Sequence, residues 1–389
     1  MKKENYTLFI AGVIMLGIAL RTPFTTIPTI LTEIATSLQV PVSSLGLLTS
    51  LPLMMFAIFS SFAPFLARKV GLERLFGWVL LILTLASALR VLGLSTLYLG
   101  TIIIGIAIAI LNVLLPSLIQ ANRPDKIGLM TTIYTTSMGL ATAGAAAVAV
   151  PIAKVSSWQG VIWALTAICF LAWLVWLPNS RDNHFLSPTQ KEQDQQHLFR
   201  NPKVWALTIF GGFQSLLFYT CMTWLPTMAV QAGISEAGSG LLASIFSLIS
   251  IPFSMTIPSL VTSLSAVHRR LLLALVSGAG LVGVAMLFIQ TDNFFYWLLL
   301  ILLLGSCVSA LFPYLLVAFS TKTSTPDQTA QLSGLAQTGG YLLAAFGPTL
   351  FGLSFEAFHS WTPAVTILLI LTIIMVLALF YVDKQDKIL

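Results

Sequence analysis

The sequence predicts an all-α membrane protein of twelve transmembrane helices in two six-helix, pseudo-symmetric bundles. Three observations carry this. Of 389 residues, 57% are hydrophobic and only 8% charged, against about 25% charged in soluble domains. Mean hydropathy is +0.94. Apolar runs of about 20 residues, the length that crosses a bilayer as helix, recur along the chain. Such a chain cannot cover a water-facing surface with 19 Lys and Arg and 13 Asp and Glu side chains. A soluble enzyme, a disordered chain and a nucleic-acid binder are excluded on that ground. Barrel strands would alternate in short pieces, so helices are expected.

Reading for apolar runs bounded by charge, Pro or Gly places spans at 7–33, 43–66, 75–92, 96–119, 128–153, 158–177, 204–230, 238–262, 270–290, 294–320, 328–355 and 360–381. Two lysines and a long apolar run open the chain, which reads as an uncleaved signal anchor. Twelve spans put both termini on one side. That side carries Lys2, Lys3, Arg68, Lys69, Arg74, Arg123, Lys126, Arg181, Lys191, Arg200, Lys203, Arg269, Arg270, Lys322, Lys384 and Lys387. The positive-inside rule makes it cytoplasmic, and the net charge of +6 needs no anionic macromolecule to explain it. The lipid bilayer is the implied solvent.

The longest polar stretch, 179–203, separates six spans from six. The expected organisation is therefore an N-terminal bundle over 1–178, a cytoplasmic linker over 179–203 with some surface helix, and a C-terminal bundle over 204–389. Pro124-Asp125 and Pro326-Asp327 precede the fifth and eleventh spans. Arg68-Lys69 and Arg269-Arg270 follow the second and eighth. Their shared offset points to internal duplication. In secondary transporters, duplication places a binding site near the midplane between the repeats.

Within the spans, Arg21 is the most informative residue. A cation at the bilayer centre costs roughly 3 kcal/mol on insertion scales, so it needs a cavity and a partner. No Asp or Glu lies deep in a span; Glu33 and Glu356 sit near outer ends. The expectation is that Arg21 anchors an anionic small-molecule substrate, for which a planar guanidinium is suited. A structural Arg satisfied by helix carbonyls is the competing reading. Arg90, at the outer end of the third span, is expected to snorkel to the interface.

Other polar residues form helical stripes: Gln214, Ser215, Tyr219 and Thr223 on the seventh span; Ser333, Gln337 and Tyr341 on the eleventh; Asn112, Pro116 and Gln120 on the fourth; and Tyr134 among threonines on the fifth. Such stripes face protein or water rather than lipid. They either line a cavity or join helices by hydrogen bonds. The substrate-contact candidates are Arg21, Asn112, Tyr134, Gln214, Tyr219, Gln337 and Tyr341. Trp224 is a lining or gating candidate that also reads as an interfacial anchor.

Cys169, Cys221 and Cys307 fall in apolar runs and read as small buried hydrophobes. No P-loop, dinucleotide fingerprint, metal-ligand cluster or nucleophile–base pair appears. No cofactor, metal or enzymatic activity is therefore expected.

The span count, linker and duplication resemble the major facilitator superfamily. Its motif between the second and third helices corresponds to Pro64-Phe65-Leu66-Ala67-Arg68-Lys69-Val70-Gly71-Leu72-Glu73-Arg74, where Leu66, Ala67 and Gly71 fit. Arg68 stands at the motif's Asp position. A nearer resemblance is to the cyanate permease (CynX/NimT) branch. It rests on Ala19-Leu20-Arg21-Thr22-Pro23, Asn112 to Pro116, Gln214-Ser215 with Tyr219 and Trp224-Leu225-Pro226, and the pattern from Ser333 to Pro348. The resemblance implies a secondary transporter, working as a monomer by alternating access, with cyanate-like or nitro-aromatic-like substrates. Protons as coupling ion would act through the substrate, Glu33 or Glu356. A multidrug exporter is the alternative within transport, and a non-transporting membrane receptor the alternative outside it.

Overall fold

A computed structural model describes residues 3–40, 45, 47–186, 198 and 200–389. The expected surface helix within 179–203 lies largely outside the described residues. Twelve helices among them are long and apolar enough to cross a membrane: Tyr6–Ile30, Ser50–Val70, Leu72–Leu92, Leu94–Asn122, Pro124–Ser156, Trp158–Arg181, Pro202–Gln231, Glu236–Ser263, Ala266–Met286, Phe294–Thr321, Pro326–Phe358 and Thr362–Lys384. These are the first to twelfth spans below. The chain is a multi-pass membrane protein. Large apolar side chains such as Trp78, Leu85, Trp163, Leu275, Phe295 and Leu377 are exposed, as a lipid-facing surface requires. The fourth and tenth spans are the most enclosed.

Proline shapes several spans. In the first, the α-helix Lys3–Thr25 gives way to a 3-10 turn, Ile27–Ile30, and then to Leu31–Leu38. Pro28 lacks the N–H that the Phe24 carbonyl would accept, so the helix unwinds there. The second span is likewise broken into Leu47–Phe59, a 3-10 turn at Ser60–Phe62, and Ala63–Val70, which opens with Pro64 near its start. The eighth is divided between Glu236–Leu248 and Ser250–Ser263, with Pro252 in the first turn of the second piece. Elsewhere Pro116, Pro226 and Pro313 lie inside unbroken helices.

The chain divides into two compact units. The first comprises Met1–Lys191 with Thr325–Gly334, and the second Glu192–Ser324 with Leu335–Leu389. A division at the linker alone would give 325–334 to the second bundle. The structure groups this segment with the first unit, and the contacts show why. Arg68 pairs in a bidentate fashion with Asp327, Nε to Oδ1 at 2.8 Å and Nη2 to Oδ2 at 2.9 Å. Ser117 Oγ donates to the Pro326 carbonyl at 2.6 Å, and Thr329 Oγ1 donates to Gln120 Oε1. Asp327 is 4% exposed, so the fork replaces much of its lost hydration.

A second polar assembly closes the same Lys/Arg-rich side of the first unit. Glu73, 1% exposed, accepts from Asn122 Nδ2 at 2.7 Å and from the backbone N–H of His184 at 2.6 Å. The His184 Nδ1 atom lies 2.7 Å from its Oε1. Trp176 Nε1 donates to the Glu73 carbonyl at 2.8 Å. The chain leaving the sixth span is thereby fastened to the start of the third. Gly71 sits at the junction with φ +86°, and a Cβ there would strike the Asn183 side chain.

In the second unit, Asp383 plays the organising role at the end of the twelfth span. It is 2% exposed and accepts from Arg269 Nε at 2.7 Å, Arg270 Nε at 3.2 Å and the Tyr314 hydroxyl at 2.9 Å. Lys322, just beyond the tenth span, donates to the carbonyls of Asp383 and Gln385. Burial pushes its ammonium below the ordinary lysine value, against the attraction of Asp383.

Two outcomes are expected from these contacts. Gly71→Ala combines backbone strain with a steric clash, and should destabilise the detergent-solubilised protein by more than about 1 kcal/mol, read as a fall in melting temperature. A double-mutant cycle of Arg68→Ala and Asp327→Ala should give a coupling of about 1–2 kcal/mol. Exchange of the two residues should recover most of the loss.

Candidate functional site

The first unit holds Arg21, Asn112 and Tyr134. Arg21 lies near the middle of the first span and is partly buried. One turn earlier, Gly17 packs against the fifth span so closely that a Cβ would lie 2.6 Å from the Tyr134 carbonyl oxygen. Residues four apart share a helix face, so Arg21 belongs to the stripe that Gly17 starts. Tyr134 is buried at this helix pair, and Asn112 is partly buried on the fourth span.

Side-chain donors also reach several main-chain carbonyls around Arg21. Thr22 Oγ1 donates to the Ile18 carbonyl at 3.1 Å, Thr25 to Arg21 at 2.9 Å, Thr26 to Thr22 at 2.7 Å, and Thr29 to Thr26 at 2.7 Å. The Pro23 carbonyl is reached from another helix by Arg90 Nη1, at 2.9 Å. In a membrane such groups must be satisfied from within the protein.

Arg90 corrects the expectation of a snorkelling side chain. It is 0% exposed. Its Nη2 donates to Ser87 Oγ at 3.3 Å, which also accepts from Thr166 Oγ1 at 2.9 Å. Among the described residues it pairs with no carboxylate, and its Nε has no hydrogen-bond partner. Position near a helix end suggested the interface. The 3-10 turn Arg90–Leu92 instead turns the side chain inward, toward the break in the first span.

The second unit holds the remaining candidates. Gln214 is 2% exposed, and its Nε2 donates to the Val308 carbonyl at 2.9 Å, joining the seventh span to the tenth. Trp224 donates from Nε1 to the Pro348 carbonyl at 2.8 Å, and its ring lies where a Cβ on Gly352 would sit. Its centroid is 5.4 Å from that of Trp361, which stacks on Phe355 at 4.1 Å. Gln214 and Trp224 thus tie helices together. Tyr219 and Tyr341 are partly buried, and Gln337 is 8% exposed on the eleventh span. Gly212 and Gly340 let the seventh and eleventh spans approach closely.

Cys169, Cys221 and Cys307 are buried thiols. Among the described residues no three His, Cys, Asp or Glu side chains gather to hold a metal. The residues that reading along the sequence missed are Glu73, Asp327 and Asp383. The available signal was their scarcity: in a chain with 13 acidic residues, each one beside a helix end is a candidate partner for the basic loops.

Twelve apolar spans with polar stripes and a mid-span arginine define a multi-pass membrane protein. The chain belongs to the Major Facilitator Superfamily, which it matches over residues 7–348 and again over 233–388. Within it, the similarity runs to the cyanate and nitroimidazole branch. The chain is 33% identical to the uncharacterized transporter YycB of Bacillus subtilis (strain 168) over 380 residues, covering 96% of this chain and 93% of that protein. It is 33% identical to the 2-nitroimidazole transporter of Escherichia coli (strain K12), covering 96% and 94%. It is 23% identical to the cyanate transport protein CynX of the same organism, covering 87% and 88%. The solved structure of the proton:xylose symporter XylE shares the fold, with a TM-score of 0.76 at 15% identity over 98% of this chain and 97% of that one.

The helix-joining contacts separate two kinds of candidate. Trp224→Phe keeps the ring but loses the N–H to Pro348. It should lower the melting temperature while leaving the apparent affinity for any transported compound within about twofold, a change of roughly 0.4 kcal/mol.

Proposed function

We propose that this transporter moves a small organic or inorganic anion, cyanate-like or nitro-aromatic-like, across the bacterial inner membrane by alternating access, with both termini cytoplasmic. Arg21 is the charge anchor. Asn112 and Tyr134 on the first unit, and Tyr219, Gln337 and Tyr341 on the second, supply polar and stacking contacts. Gln214 and Trp224 belong to the proposed set through the helices they hold in place.

The observation that carries this reading is the treatment of the backbone around Arg21. The carbonyls of residues 18, 21, 22, 23 and 26 are covered by four threonine hydroxyls and by Arg90. Arg21 places a cation in this same stretch of the first span. A mid-span guanidinium is costly, and recognition of a delocalised anion is the chemistry it performs best. The names of the relatives agree in kind: cyanate is a small linear anion, and 2-nitroimidazole carries a planar acceptor group. Proton coupling would enter through the protonation of such a substrate or through Glu33 or Glu356. A permanent cation in the proposed site disfavours an exporter of apolar cations.

The test is uptake of radiolabelled cyanate and 2-nitroimidazole into proteoliposomes holding wild type, Arg21→Lys or Arg21→Ala. Arg21→Ala should lose roughly 3 kcal/mol of binding, more than a hundredfold in apparent affinity, as for an unpaired charged hydrogen bond. Arg21→Lys should recover only part, because an ammonium lacks the fork. Wild-type uptake by folded Arg21→Ala would refute the assignment.

A further inference from the structure

Arg90 has no assigned role, yet four helices are shaped around it. It stands at the end of the third span. Gly100 on the fourth span clears its stem, since a Cβ there would lie 2.6 Å from Arg90 Cγ and 2.6 Å from the Ala86 carbonyl oxygen. Thr166 on the sixth span and Ser87 on the third form a hydroxyl chain that ends on its Nη2. On the first span its Nη1 holds the Pro23 carbonyl. All these residues belong to the first unit.

This slot is costly to build for stability alone. A buried charge without a carboxylate partner is disfavoured, and an apolar side chain of similar volume would fill the space. What the guanidinium adds is a planar fork that reaches the Ser87 hydroxyl and a main-chain carbonyl at once. The carbonyl it selects is one that none of the four threonine bonds covers. It also lies two residues from Arg21, where the helix is about to unwind.

We propose that Arg90 is a positioning residue whose clamp on the Pro23 carbonyl sets the break of the first span and so fixes where Arg21 sits. Its functional consequence rests on the reading of Arg21 as the substrate anchor; its structural claim does not. The third, fourth and sixth spans act as the template, and the first span is held against it by this bond. Substitution of Arg90 should therefore act on transport through Arg21, by displacing it rather than by removing charge from a ligand.

The test measures residue 21 directly. Spin labels are attached to full-length protein in nanodiscs at Arg21→Cys and at the exposed Lys154→Cys, both in the first unit. The native cysteines are buried and out of reach of the label. The interspin distance is compared with Arg90 intact, with Arg90→Met, with Arg90→Lys and with Gly100→Ala, which displaces the stem and leaves the charge. Ser87→Ala, which removes a single hydroxyl, provides a mild variant should the others fail to fold. The intact protein should show one narrow distance. Arg90→Met and Gly100→Ala should lose that single peak, and Arg90→Lys should restore it in part. An unchanged distance in the folded variants, even with a lowered melting temperature, would reduce Arg90 to a general stabiliser and overturn the proposal. Because the label replaces Arg21, this outcome is independent of whether Arg21 binds substrate. That question is decided separately by uptake in Arg21→Ala.

Discussion

A guanidinium sealed among apolar helices persists only if its hydrogen bonds are made and something is gained from its cost. Arg90 meets the first condition at Nη1 and Nη2, with a main-chain carbonyl and a hydroxyl pair drawn from the first, third and sixth spans, while Nε has no partner. The interior of the first unit is organised by that requirement. Gly100 is a glycine because the Arg90 stem passes it, and Ser87 and Thr166 form a hydroxyl pair because Nη2 needs an acceptor. The Pro23 carbonyl, just before the break after Thr25, takes its donor from Arg90.

The same constraint explains why threonine crowds the end of the first span. Pro28 removes a donor, and the unwinding frees several acceptors at once. In water the solvent would take them. In lipid each unsatisfied group costs several kcal/mol. Threonine hydroxyls bonding to carbonyls three or four residues back are a local remedy that tends to bend a helix in soluble proteins. Here the bend is already imposed by proline, so the remedy adds little further cost.

Much of this architecture was legible in the sequence. Among the described residues, apolar run length placed the spans to within a few residues, because the bilayer fixes the length of a crossing helix; the expected start of the second, at 43, lies outside them. The polar stripes were visible, but their use was not. Gln214 lies on the polar stripe of the seventh span, yet its Nε2 is spent on the Val308 carbonyl of the tenth. Sequence spacing gives the face of a helix, not the neighbour that meets it. Arg90 shows the same limit. Its place near a span end suggested an interfacial side chain, and a 3-10 turn reversed that by rotating it inward.

Internal duplication was also visible, through paired basic residues at a common offset, but the halves no longer use them alike. Arg68 pairs with Asp327 in the first unit, whereas Arg269 and Arg270 converge on Asp383 in the second. Asp125, which matches Asp327 in the repeat, is exposed, while Asp327 is buried. Charged residues at matching offsets are therefore not used alike. A repeated fold needs only matching apolar faces, which many sequences satisfy. A buried carboxylate needs a specific cation at bonding distance. Arg68 likewise meets an acid from another part of the unit. The start of the eleventh span supplies it, which is why that short segment groups with the first unit rather than with the rest of its own helix.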